Sequence, residues 1–410
     1  MLSDRWSVFS ASPHRMLFWS GVSYSVLAIL LWSFLQTSLF QPWLAPILWK
    51  LPYIQAHGFM MIYGVFGFYF FGFLLTTFPR WLDQPSVSKP AYVAVWACLF
   101  LGAHLFWVGL FAGKYFSLVG SVLMFCAYVI AIREATNILL SAKNASRYQQ
   151  VVILLGLTVG AFGIALYGWG IATQNFVMLA SVSTFGIYLF LLPVILAVLH
   201  RMVPFFTSTV TEGYQIRRWP MALWLYLVFL LAFAYLENNH KPEWTWVASL
   251  PIALVLTTEL VMWKFWLADR RPLLFILYLG LGWIWFSFVL SGSESLYMLL
   301  ADLPARPFGR AALHALLVGG FGSMLIGIST RVTLGHSGRG LATDRLTAFL
   351  FYGFQIVPLA RVLPEIAGFW VPPLAVQGYW AGWLWAIVFG IWFVAFGPAL
   401  TRPRSDGRPG

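Results

Sequence analysis

Hydrophobic residues in this chain run in long unbroken blocks, without the alternation of a half-buried strand or the single apolar face of a soluble helix. Twelve blocks of roughly 18–27 residues are each long enough to cross a hydrocarbon core about 30 Å thick. They lie near residues 16–40, 53–78, 90–111, 115–140, 150–173, 176–200, 219–237, 244–267, 272–291, 308–330, 342–363 and 373–399. Charged or Pro/Gly/Ser-bearing stretches separate them, such as Asp83-Gln84-Pro85-Ser86 and Asp269-Arg270-Arg271-Pro272. Pro52, Pro90, Pro272 and Pro307 fall where a helix is expected to begin or end. The fifth and sixth blocks are nearly continuous, joined by a turn at Thr173-Gln174-Asn175. The pattern predicts an all-α, polytopic integral membrane protein. It forms one transmembrane domain over 1–410, with short tails at 1–15 and 400–410.

Composition sharpens this. Of 410 residues, 60% are hydrophobic and 9% charged, where a soluble domain carries about 25% charged residues. Such a chain needs the lipid bilayer as solvent for much of its surface. Its 22 tryptophans and 17 tyrosines suit the headgroup level, where amphipathic rings collect. Allotting Lys and Arg to the nearer helix end puts 19 of 25 on the side of the two termini. Lys50, Lys114, Lys241, Arg306, Arg310 and Arg361 lie opposite. Cytoplasmic loops retain such residues, so both termini are expected in the cytoplasm. The net charge of +12 is spread over short flanking loops, which fits contact with anionic lipid and not nucleic acid. The first block runs past the 7–15 residues of a signal-peptide core and reads as a retained helix. Cys98 and Cys126 lie inside blocks and offer neither a disulfide nor a CxxC pair.

Polar side chains at membrane depth are the informative ones, because lipid excludes them unless they serve a purpose. His57, His104 and His314 each sit one or two turns from the outer end of a block. At about 1.5 Å per residue they share a layer roughly 6–12 Å below the outer interface. Imidazole is the commonest metal and haem-iron ligand, so the three suit haem, copper or both. The competing reading is that each hydrogen-bonds within the bundle. Glycines follow two of them, at Gly64 and Gly67 and at Gly319, Gly320 and Gly322, which fits close approach of a helix or of a flat macrocycle.

A second layer is expected at the inner ends of the same helices. Arg80 follows Pro79, His200-Arg201 is expected to close the sixth helix before Pro204, and Arg331 to close the tenth, with His336 and Arg339 beyond. These residues suit an anion or the propionates of a second cofactor, although positive-inside topology alone also places arginines there. His57 and Arg80 are about 35 Å apart along one helix, so no single haem touches both layers. Glu259 is the deepest acid, expected to pair with Lys264 or, as the alternative, to serve a proton path. No Walker A loop supports ATP-driven transport and no CxxCH attaches a covalent haem.

Three stretches carry a family resemblance. They are Gln55-Ala56-His57-Gly58 through Thr76-Thr77-Phe78-Pro79-Arg80-Trp81, Arg201-Met202-Val203-Pro204-Phe205-Phe206-Thr207, and Leu313-His314-Ala315-Leu316 through Thr330-Arg331-Val332-Thr333-Leu334-Gly335-His336-Ser337-Gly338-Arg339. In order, spacing and helix plan the chain resembles the NnrS family, membrane proteins associated with haem, copper and nitric oxide metabolism in denitrifying and nitrosatively stressed bacteria. The resemblance implies a bacterial inner-membrane protein with a non-covalent b-type haem. It also implies nitric oxide as ligand or substrate, and a quinol or redox protein as electron donor. Its candidate iron ligands here are His57 and His314, with His104 the remaining outer-layer metal candidate. Where the family usually shows His-Ala-His-Glu, this chain has Gln55-Ala56-His57-Gly58, which removes one histidine and one carboxylate and weakens the copper expectation. On architecture alone, a twelve-helix chain with both ends cytoplasmic also fits a secondary transporter. A non-catalytic assembly or metal-handling factor for a respiratory complex fits the sparse ligand set.

Overall fold

The computed structural model describes residues 2–41, 44–45, 47–143, 146–268, 271–338 and 344–406. Asp269, Arg270 and Arg339, and the expected start of the eleventh helix at 342–343, lie outside the described residues. After a short helix at Leu2–Phe9, within the expected tail, twelve helices follow in chain order. They are α1 Pro13–Phe40, α2 Tyr53–Trp81, α3 Lys89–Ala112, α4 Lys114–Ser141, α5 Tyr148–Thr173, α6 Phe176–Val210, α7 Pro220–Asn238, α8 Trp246–Met262, α9 Pro272–Ala301, α10 Ala311–His336, α11 Arg345–Ala367 and α12 Pro372–Thr401. Eleven are long and apolar enough to cross a membrane; α8 is the shorter apolar one. No strand occurs among the described residues.

Local chemistry explains several boundaries. Pro90 and Pro272 sit in the first turns of α3 and α9, where the missing N–H costs nothing. The turn between α5 and α6 is made by Gln174 in the left-handed region, at φ 56°, and by Asn175, whose side chain accepts from Met178 N. Three helices outrun the blocks that foretold them. Helix α6 continues past His200-Arg201 and through Pro204 to Val210, so those residues do not close it. Helix α10 continues through Arg331 to His336, and α9 extends to Ala301. Polar residues belonging to a helix end look like loop when read by hydropathy alone.

Helices α2, α6 and α10 form the centre of the bundle. Their apolar windows are 89, 78 and 67% buried, against at most 56% in the other long helices. Each also contains a π-helical segment, at Met60–Val65, Gly186–Leu191 and Ala315–Phe321. The i→i+5 register of such segments leaves neighbouring carbonyls short of partners. In lipid those carbonyls must be satisfied by protein. Hydroxyls from adjacent helices do so: Tyr128 donates to Tyr63 O at 3.1 Å, Tyr63 to Val182 O at 3.1 Å, and Ser287 to Ala312 O at 2.7 Å. The two ends of the chain meet at one end of the bundle, where buried Arg15 donates to Arg402 O at 2.8 Å.

Candidate functional site

The three π-helical segments surround a cavity of about 490 Å³. Met61 and Ile62 of α2, Ile187 and Tyr188 of α6, and Leu317 and Val318 of α10 line it, all within those segments. Two of the three outer-layer histidines, His57 and His314, line it as well. Each sits on the turn before its π segment, so the change of register sets which way the following turns face.

Each ring is held differently. The His57 ring stacks on Trp32 of α1, with centroids 4.0 Å apart and planes 13° from parallel, and its buried Nδ1 has no hydrogen-bond partner. His314 Nδ1 donates to Glu365 Oε2 at 3.2 Å, and Glu365 Oε1 accepts from Arg361 Nη2 at 2.8 Å. A carboxylate at Nδ1 fixes both the tautomer and the ring orientation and leaves Nε2 free, as with the outer-shell partner of a metal-ligating histidine. Arg361 and Glu365 are an i,i+4 pair on α11. Two opposite charges four residues apart, Arg361 at the end of the eleventh block and Glu365 just past it, were the available signal for this site. In the sequence Arg361 registers only in the charge tally.

His104 is not brought to this cavity. Its Nδ1 donates to Phe100 O at 2.7 Å, within its own helix, and its ring packs 4.2 Å from Phe100. The glycines after the two histidines serve helix packing. A Cβ on Gly64 would meet the Tyr24 ring at 2.8 Å, and one on Gly319 the Trp283 ring at 2.5 Å.

One end of the cavity is polar. Arg306, in the turn before α10, binds Glu237 and also donates to Glu294 Oε2 at 2.7 Å, while Glu294 Oε1 accepts from Phe308 N at 2.9 Å. Burial opposes the Arg306 charge, but the Glu237 and Glu294 carboxylates outweigh it and raise its pKa. Arg310 also lines the cavity and is exposed, with no ion pair among the described residues. Among the described residues no cluster of three His, Cys, Asp or Glu side chains is able to hold a metal ion.

The inner-layer residues do not form one site. Arg201 donates to Trp81 O at 3.1 Å and lies 5.2 Å above the Trp81 ring. Arg331 stacks on Phe206, 3.7 Å from its centroid, and Arg80 is exposed. His336 packs against buried His14, with ring centroids 4.5 Å apart. Glu259 accepts from Tyr226 at 2.8 Å, and its Oε1 lies 3.3 Å from His200 Nε2, which itself bonds to Trp219 O at 3.1 Å. Its expected partner Lys264 lies beyond the C-terminus of α8 in the left-handed region, at φ 55°, and is exposed.

Residues 8–404 match the family described as NnrS protein. No curated protein is matched by the sequence. Among solved structures, a haem–copper terminal oxidase dimer determined by cryo-electron microscopy is similar to this chain at a TM-score of 0.69. The likeness covers 99% of this chain and 86% of that one at 13% identity, and so speaks for the fold alone. The family match spans nearly the whole sequence, including every motif that lines the cavity, and the chain belongs to the NnrS protein family.

Proposed function

We propose that the chain binds haem in the cavity between His57 and His314 and takes up nitric oxide there, in a bacterial cytoplasmic membrane. The observation that carries this is the pairing of two imidazoles on one cavity with a carboxylate that orients one of them. The cavity volume lies within the range of about 300–1,000 Å³ usual for cofactor pockets. Its walls are mainly apolar, as a macrocycle requires, and Arg310 at the polar end, with no ion pair among the described residues, suits a propionate. His57 Nδ1 is a buried nitrogen without a partner, the condition a ligand relieves.

In this reading His314 is the better-prepared ligand, because Glu365 leaves only Nε2 available. His57 is the second candidate. When bound, haem iron supplies the site at which a diatomic ligand is held or reduced, with electrons from a quinol or a redox protein. The chain contributes orientation and a charged rim. A haem–copper pair is poorly served by these residues, since no three-ligand cluster is formed among those described. The fold shared with a haem–copper oxidase supports the haem reading without extending it to copper.

The test is the optical spectrum of detergent-solubilised protein, oxidised, dithionite-reduced and exposed to nitric oxide, beside His57→Ala and His314→Ala. A Soret band that moves with nitric oxide and is lost in His314→Ala supports the reading. If it persists in His57→Ala with the nitric oxide response intact, His57 is not an iron ligand. A colourless protein from haem-replete cells sinks the reading and makes a transporter the working hypothesis.

A further inference from the structure

A second cavity, of about 540 Å³, adjoins the first. The two share three lining residues: Glu237, His240 and Arg306. The second is a polar vestibule, lined also by Glu243 and Asp302. His240 and Asp302 are exposed, whereas the Glu237 side chain is 25% and that of Glu294 2% accessible. Glu237 therefore stands in the wall between an aqueous space and the two-histidine cavity. The vestibule sets three carboxylates, those of Glu237, Glu243 and Asp302, against the single Arg306 guanidinium, an excess of negative charge that favours cations at the threshold.

A polar strip on α9 continues inward from the wall. Ser287, Ser291, Glu294 and Ser295 recur at helical spacing and are buried together. Ser287 donates to Ala312 O, Glu294 holds Arg306, and Ser295 Oγ accepts from Trp246 N at 3.0 Å. Ser291 is the exception. Its buried hydroxyl lines the first cavity and has no partner, one turn from Glu294. Helix packing accounts for the other three and leaves Ser291 unexplained.

We propose that this shared wall admits protons to the two-histidine cavity, with Glu237 and His240 as carriers and Ser291 as the first hydroxyl inside. The assignment rests on the proposed nitric oxide function, which creates the need. Reducing two nitric oxide molecules to nitrous oxide and water consumes two electrons from the quinol or redox-protein donor and two protons. Glu237 suits the carrier role because only its Oε1 is engaged, by Arg306; Oε2 has no hydrogen bond among the described residues. The other titratable or charged groups that face it are Arg306, Glu294, Arg310 and Tyr188, with His240 one turn away.

Two measurements on the full chain test this. In a Cys98→Ala/Cys126→Ala background, Ser291→Cys is treated with the small cationic reagent 2-aminoethyl methanethiosulfonate and with its anionic sulfonatoethyl counterpart. Modification at least about tenfold faster by the cation is expected from the negatively charged vestibule; an unreactive thiol overturns the route. Separately, Glu237→Gln is expected to slow nitric oxide consumption about tenfold or more with an unchanged Soret band, and Glu237→Asp to restore part of it, as for a lost proton-transfer group. Turnover in Glu237→Gln equal to wild type overturns the carrier assignment. A colourless wild type sinks the function reading alone, since the thiol measurement still decides whether the vestibule reaches Ser291.

Discussion

Each end of the bundle carries a pair of neighbouring histidines, and α10 supplies one member to each. At one end His57 and His314 line an open cavity, and a carboxylate orients one ring. At the other, His14 and His336 lie ring against ring, 4.5 Å apart, beside the strap that Arg15 makes to the C-terminal segment. Residue type is the same in both; the differences are room and orientation. A ligand needs a fixed ring with a free nitrogen facing space, and only the first pair has all three. The three π-helical segments lie at the first end and create that space. Intramembrane histidines are thus informative less by depth than by what holds their second nitrogen.

The sharpest way to break this comparison is to exchange the pairs. His314→Ala is expected to abolish the Soret band, and His14→Ala and His336→Ala to leave it within experimental error of wild type. Loss of the band in either of the latter would make the second pair a haem site. Next in size is Glu365→Gln, which keeps a hydrogen-bonding group without the charge. Haem affinity should fall by about 10–100-fold, as for other outer-shell partners. Titration of apo-protein with haemin measures this, and unchanged affinity would remove Glu365 from the site.

The third prediction concerns packing beside the cavity. Gly64→Val must displace the Tyr24 ring and should cost about 1–3 kcal/mol of stability. Gly282→Ala, where a Cβ would meet nothing within 4 Å, should leave the melting temperature in detergent unchanged or slightly raised. Equal effects in the two would mean that Gly64 is not a tight contact.

The smallest effect belongs to Asp344, which caps α11 by accepting from Thr347 N at 2.7 Å and Thr347 Oγ1 at 2.6 Å. Those hydrogen bonds hold its carboxyl below the usual value. A depressed carboxylate adds stability that is fully present above its unfolded pKa, near 3.9, and is lost as pH falls through the lower folded value. Asp344→Ala should therefore cost about 1 kcal/mol at pH 7. That difference should shrink below about pH 4, and thermal melts across this range would show it.

The helical plan was legible because long apolar blocks admit few alternatives in lipid, and eleven of the twelve blocks became helices that meet the length and hydropathy of a span. Helix ends were less legible. Arg201, Arg331 and His336 are polar and yet belong to helices that run on past Pro204 or up to His336 itself. Of the outer histidines, depth along the helix placed His57, His104 and His314 in one layer. Depth says nothing about azimuth, and azimuth separates His104 from the cavity. Glu365 and Trp32 stayed hidden because their importance is entirely in whom they touch.

The sequence by itself determined the solvent, the number and approximate bounds of the helices, the family and two of the cavity histidines. Blocks of apolar residues and short motifs are local properties, and lipid imposes one local solution on them. Tertiary structure decided the register shifts at the three π-helical segments and the meeting of His314 with Glu365. It also decided the bond from Tyr226 to Glu259 and the shared wall at Glu237 and Arg306. Each of these joins residues from different helices, and helix-to-helix rotation is set by packing across the bundle, which no single segment encodes.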